Sequence, residues 1–429
     1  MTEPALLDLN DTNLQLWHRG QAVQSPGYAL LDGTQYTFGS RARHAARLRP
    51  RDINTRYWWH LNTEGLQPAL GPARHTADLV HAHLLDIHQQ AGEPSELILA
   101  VSGSMAREQL ALLLGIVEQC PFNAVGLVNR SVALASAYPG PGKTYHLEIQ
   151  LHQAVITELA AQDGQIEVRQ TTALPGCGLL QLQEKLVEII AAAFIRQTRF
   201  DPRRKAASEQ QLYDALPAAL RALGAAPETN IEVQGYRARI NRAELRAAGE
   251  LLVNSLPQAM AALHTQDRII LDPVAGLLPG LMAALPRGEL LANDALSTAI
   301  EQHTDKLIQA QMGDQALNFV TALPCLTPPA QDRVVTAAPV ATAPEPTPDN
   351  PSHLLQDAIA QPLQPDGTAL GAGNELYRQD SQWLIRGAGS IQVNGENYVP
   401  GRALLCGERI QWHSGEVANS GLLILVQGA

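Results

Sequence analysis

Ala5-Leu6-Leu7-Asp8-Leu9-Asn10-Asp11-Thr12-Asn13-Leu14-Gln15-Leu16-Trp17 sets an apolar run, a polar turn and a second apolar run side by side. Asn10 and Asp11 end the first run, because short polar side chains bond their own backbone and tolerate turn geometry. Leu14 to Trp17 resumes as the partner strand of a hairpin. Beyond this hairpin, strand-like and helix-like segments alternate. Thr76 to Gln90 reads as an amphipathic helix, Leu97 to Val101 as a buried strand and Arg107 to Gln119 as a helix. Tyr145 to Leu151 alternates strictly, which predicts a strand with one buried face. Leu179 to Arg196 is a long helix, Arg268 to Leu271 another buried strand, and Asn293 to Gln311 a closing helix. Hairpins feeding sheets with helices over them predict an α/β architecture with two lobes.

A boundary follows at residues 327–352, where seven of 26 residues are proline, with alanine and threonine between them. Such a stretch buries little apolar surface and is expected to act as a semi-extended linker between residues 1–326 and residues 353–429. After it, Trp383 to Ile385, Ile391 to Val393, Ala403 to Leu405, Arg409 to Trp412 and Leu422 to Val426 are short strand candidates separated by Gly, Asn and Pro. That texture predicts a small all-β sandwich.

The 429 residues carry 17 % charged and 45 % hydrophobic side chains, enough apolar content for two or three packed domains. The net charge of −11 argues against a nucleic-acid partner. Cys120, Cys177, Cys325 and Cys406 show no paired spacing, so neither a zinc site nor a disulfide framework is expected. With no signal-peptide pattern and no long apolar run, a cytoplasmic chain without a membrane span is predicted.

Four signals carry bland readings. Gly140-Pro141-Gly142-Lys143-Thr144 imitates the end of a phosphate-binding loop, but Ala137 stands where a glycine is needed and a strand follows where a helix is needed. A plain turn is predicted there. His75, His81, His83 and His88 are expected to be solvated helix histidines, since His81 and His83 point about 200° apart on a helix. Ser102-Gly103-Ser104 reads as a strand-to-helix turn with Ser104 as the helix cap. The basic Arg41 to Arg51 segment lacks the interleaved aromatics of a nucleic-acid surface.

Several segments, in order, resemble the nucleotide-binding domain of DnaK-type heat-shock chaperones, an actin-like ATPase fold. Asp8 to Asn13 is similar to the family's first phosphate loop, D-L-G-T-T-N. Phe38 to Arg43 resembles V-G-x-x-A-K, and Leu127 to Ala135 resembles the I-N-E-P-T-A-A-A-L-A run. Phe200 to Arg203, Ile240 to Leu245 and Ala292 to Ala295 resemble K-D-P-R, T-R-A-x-F-E-x-L and N-P-D-E-A. The likeness spans residues 5 to 325 and implies a two-lobed fold around a Mg-ATP cleft.

The chemistry that the resemblance implies is largely missing. Phosphate loops need glycines so that backbone N–H groups can approach the phosphates, and carboxylates to hold hydrated magnesium. Asp8 and Thr12 remain, but Asn10 and Asp11 replace loop residues, Arg43 stands at the lysine position and Arg130 at a glutamate position. The second phosphate loop aligns with His146 to Gln153, which has neither its glycines nor its aspartates, and Pro273 to Pro279 lacks the adenosine-loop pattern. The vestigial cleft residues are therefore Asp8, Asp11, Thr12, Arg43, Arg130 and His146. No catalytic residue, no metal ligand and no cofactor are predicted, the alternative being retained ATP and Mg. Arg43 or Arg130 is expected to pair with Asp8 or Asp11 across the old cleft. Residues 370 to 429 resemble the later half of a forkhead-associated domain, through Ser390 to Gly395 and Leu405 to Ile410. The resulting expectation is a pseudo-ATPase adaptor that binds protein partners through its lobes and its β module. Alternatives are an atypical ATPase or an actin-like filament component.

Overall fold

The computed structural model describes residues 4–260, 263–309, 317–326 and, in short runs, 351–424. The proline-rich stretch at 327–350 lies outside the described residues. The chain divides into two compact units, Met1–Arg333 and Val334–Ala429.

In the first unit the opening hairpin forms as expected, Ala5–Leu9 pairing antiparallel with Leu14–His18. Gln21–Ser25 adds beyond it, while Glu96–Val101 joins Ala5–Leu9 in parallel and Asn123–Asn129 joins Glu96–Val101 in parallel. A second sheet repeats this plan. Lys143–Ile149, Gln153–Gln162 and Gln165–Pro175 form the antiparallel meander. Arg268–Leu271 then lies parallel to Lys143–Ile149, with Gly288–Leu290 parallel beyond it. Both sheets thus share one strand order and one set of directions. The segment Phe319–Val320 extends the edge of the first sheet and Ala322–Pro324 the edge of the second.

Central parallel strands are buried on both faces, which is why Leu97 to Val101 reads as a continuous apolar run. Helix Thr76–Gln90 packs its Leu79, Val80, Leu84 and Ile87 on the first sheet. Helices Leu179–Thr198 and Ala206–Ala225 cover the hairpin of Glu228–Val233 and Tyr236–Asn241. No helix of the described residues is long and apolar enough to cross a membrane.

Five local expectations are corrected. Lys143–Ile149 is buried on both faces, because its polar side chains His146 and Glu148 meet internal partners instead of water. His83 is enclosed, its Nε2 2.7 Å from Ser25 Oγ and its Nδ1 2.8 Å from Tyr57 Oη, and burial lowers its pKa to about 3. His88 is also buried, bonding the Pro94 carbonyl at 2.9 Å. The helix after Val101 is capped at Ala106, while Ser104 bonds Ser102 instead. The closing helix is two, Ala295–Glu301 and Thr304–Gln309, interrupted at Gln302 and His303.

The second unit is all-β. A sheet containing His353–Gln356, Ile391–Val393, Arg409–Ser414 and Val417–Ile424 accompanies a three-stranded sheet of Thr368–Gly371, Asn374–Gln379 and Gln382–Arg386. Leu376, Trp383, Val393, Ile410 and Trp412 form its core. The expected strand at Ala403 to Leu405 is only a single bridge, Leu404 to Trp383.

Candidate functional site

Asp8 lies on the innermost strand of the first sheet, and Asp272 follows directly on strand Arg268–Leu271 of the second. Arg130 begins the helix Arg130–Ser136, capped by Asn129, whose side chain accepts the Val132 N–H. A cation at a helix N-terminus opposes the helix dipole, so its place must be offset by nearby acids. Arg130 Nε donates to Asp8 Oδ1 at 2.7 Å, and Nη1 to both Asp272 oxygens at 2.9 Å. Glu148 Oε2 stands 3.7 Å from the same Nη1. One buried guanidinium therefore joins the central strands of both sheets.

The second residue of that helix continues the network. Ser131 Oγ lies 2.8 Å from His146 Nδ1, and His146 Nε2 lies 3.2 Å from Asp272 Oδ1. The order Ser–His–Asp imitates a hydrolase triad. Ser131 is 0 % exposed, however, and its hydroxyl faces the helix-to-strand contact, where no substrate carbonyl can reach it. It is a structural hydrogen-bond chain.

Above this cluster the two first-hairpin turns of the two sheets meet. Asn10 Nδ2 donates to the Ile149 carbonyl at 3.3 Å and to Asp272 Oδ2 at 3.3 Å. Leu151 N donates to Asp11 Oδ1 at 2.8 Å. Gly27 donates its N–H to the Asp11 carbonyl at 2.8 Å. Thr12 is bound within its own turn, its hydroxyl 2.8 Å and its N–H 3.0 Å from Asn10 Oδ1. A cavity of about 560 Å³ opens beside them, with Asp8, Thr12, Arg130, Arg221, Asp272 and Asn293 in its wall.

Asp8 and Asp272, which share the guanidinium, divide unequally. Burial pushes Asp8 up to about 6, against the attraction of Arg130. Burial also pushes Asp272 up, but Arg130 and His146 outweigh it and leave Asp272 below the ordinary range. Burial raises Asp11 to about 7, since no cation faces it and the N–H groups of Leu151 and of Asp11 itself offset burial only in part. Burial works against the charge of Arg130, yet Asp272, Asp8 and Glu148 hold it well above the usual value.

Of the expected pairings, Arg130 with Asp8 is present. Arg43 is not in the cluster; it sits on Gly39–Arg43, with Nη2 3.5 Å from the Tyr213 carbonyl. Asp11 pairs with a backbone N–H in place of an arginine. The sequence reading also counts the site as stripped of acids, and this is corrected: Glu148 and Asp272 are both there. The missed signal is an internal echo. Leu7-Asp8-Leu9-Asn10 recurs as Leu147-Glu148-Ile149-Gln150 at the same place in the second sheet. An alignment placing His146 at the acid position hides this echo by two residues. Comparison with family models and with curated proteins finds no match for this chain.

Proposed function

We propose that residues 1–326 form an actin-like fold of the DnaK type whose cleft is cross-linked by protein groups, and that the chain is a non-catalytic, protein-binding adaptor. The repeated strand order of the two sheets supports the fold, because a duplicated meander with two parallel additions is the plan of that superfamily. The observation that carries the function is Arg130 seated among Asp8, Glu148 and Asp272. In an ATPase of this type, carboxylates at such positions hold hydrated magnesium. Here a fixed cation takes that role, and Asp11 occupies the Leu151 N–H that a phosphate would need. These residues do not fit Mg-ATP: a triphosphate in this cleft would face Asp8, Asp11 and Asp272 with no glycine-lined N–H cradle. The C-terminal β module, read as forkhead-associated-like, supplies a second contact whose effective concentration is raised by tethering.

A thermal-shift titration of the full chain tests this. The expected result is the same melting temperature with and without Mg-ATP. The about 560 Å³ cavity favours one second reading, retained ATP binding, and a saturable, magnesium-dependent rise would establish it in place of the first.

A further inference from the structure

We propose that this chain binds a small oxyanion, a phosphate or polycarboxylate, in a separate pocket beneath its basic segment. The Arg41 to Arg51 stretch and the residues following it fold over helices Leu179–Thr198 and Ala206–Ala225, lining a half-open cavity of about 340 Å³. Three arginines, Arg43, Arg47 and Arg56, face this cavity against a single carboxylate, Glu184. Arg47 is already engaged: it pairs with Glu184, stands 3.8 Å from Glu209 and stacks 3.8 Å from the Tyr213 ring centroid. Arg43 and Arg56 have no carboxylate within salt-bridge distance among the described residues, and the Arg43 guanidinium donates to the Tyr213 carbonyl at 3.5 Å. His152 adds no charge, since burial lowers its pKa to about 4 and its Nε2 meets Thr55.

Two further polar side chains stand in the same wall. Tyr28 and Gln183 line the cavity, and neither side chain has a hydrogen-bond partner among the described residues. A hydroxyl, an amide and two guanidinium groups without a carboxylate partner around one cavity supply the donors that phosphate and carboxylate oxygens accept, arginine with bidentate geometry. A cavity of this size suits a small molecule. The site is distinct from the Arg130 cluster, none of whose carboxylates lines it.

The test uses the full chain, titrated with inorganic phosphate and with citrate, followed by melting temperature and calorimetry, and compares Arg43→Gln, Arg56→Gln and Arg51→Gln. Arg51 is exposed on the same basic segment but does not line the pocket. A saturable rise of a few degrees is expected in the wild type and in Arg51→Gln. Arg43→Gln and Arg56→Gln are each expected to bind at least about tenfold more weakly, the loss of one charge-assisted contact. A phosphate response without a citrate response assigns a phosphate ligand, and the reverse a carboxylate. No saturable response to either in the wild type, or equal responses in all four proteins, would overturn the proposal.

Discussion

Arg130 Nε and Asp8 Oδ1 are 2.7 Å apart inside the first unit, and the same guanidinium holds Asp272 at 2.9 Å from the other sheet. Both partners are almost wholly enclosed, so neither charge can be handed back to water. Removing one member of such a group leaves the others unpaired in a poorly solvating interior, which costs far more than the intact network contributes.

Arg130→Met should therefore lower stability by about 3–5 kcal/mol in urea unfolding. Part of that loss should be recovered between pH 8 and pH 5.5, because carboxylates deprived of their counter-ion take up protons. A loss under about 1 kcal/mol, equal at both pH values, would remove Arg130 from its assigned role.

Asp11 predicts a pH signature of its own. Its folded pKa is raised to about 7, above the ordinary 3.8, so its stabilising contribution is complete below about pH 4 and lost as pH rises through 7. Asp11→Asn keeps an oxygen for the Leu151 N–H but cannot ionise. The variant should match the wild type below pH 4 and gain on it by up to about 1.4 kcal/mol per pH unit up to neutrality. His83 and His152, whose pKa values are lowered, lose stability as pH falls through the same range, so the difference between the two proteins is the quantity to follow.

Gly178 precedes helix Leu179–Thr198, and a Cβ there would stand 2.3 Å from the His152 carbonyl carbon and 2.5 Å from the Leu151 carbonyl oxygen. Backbone cannot yield as a side chain tip can. Gly178→Ala should cost about 1–3 kcal/mol, whereas Gly115→Ala, in helix Arg107–Val117 with nothing within 4 Å, should stabilise by about 0.5–1 kcal/mol. Equal effects in chemical denaturation would contradict the close approach at Gly178.

Because the units have separate cores, the full chain should melt in two calorimetric transitions. Trp412→Ala, which empties a buried position in the β unit, should lower one transition by about 3–5 kcal/mol and leave the other unchanged. A single transition shifted as a whole would show that the units unfold together.

Much of the fold is legible from local chemistry. The Asn10-Asp11 turn marks the first hairpin. Thr76–Gln90 and Arg268–Leu271 are helix and strand with the bounds that their periodicity gives. Arg130 with Asp8 is one of the four pairings that the sequence leaves open between Arg43 or Arg130 and Asp8 or Asp11. Alternation alone could not show that His146 and Glu148 are buried. A polar face of a strand looks the same whether it meets water or an arginine, and periodicity reports only that two faces differ. The same limit hides His83, whose partners Ser25, Tyr57 and Trp58, the last donating its indole N–H at 3.1 Å, come from distant stretches of chain.

The order of side chains along the chain determined which segments become strands and helices and where the chain breaks into two units. Only the packed structure decided which acids surround Arg130, and that Asp11 takes a backbone donor while Arg43 lies elsewhere. The reason is physical: secondary structure follows from neighbours a few residues apart, whereas the partner of a buried charge is chosen by which groups two sheets bring within hydrogen-bond reach, as with Arg130 and Asp272, 142 residues apart in sequence.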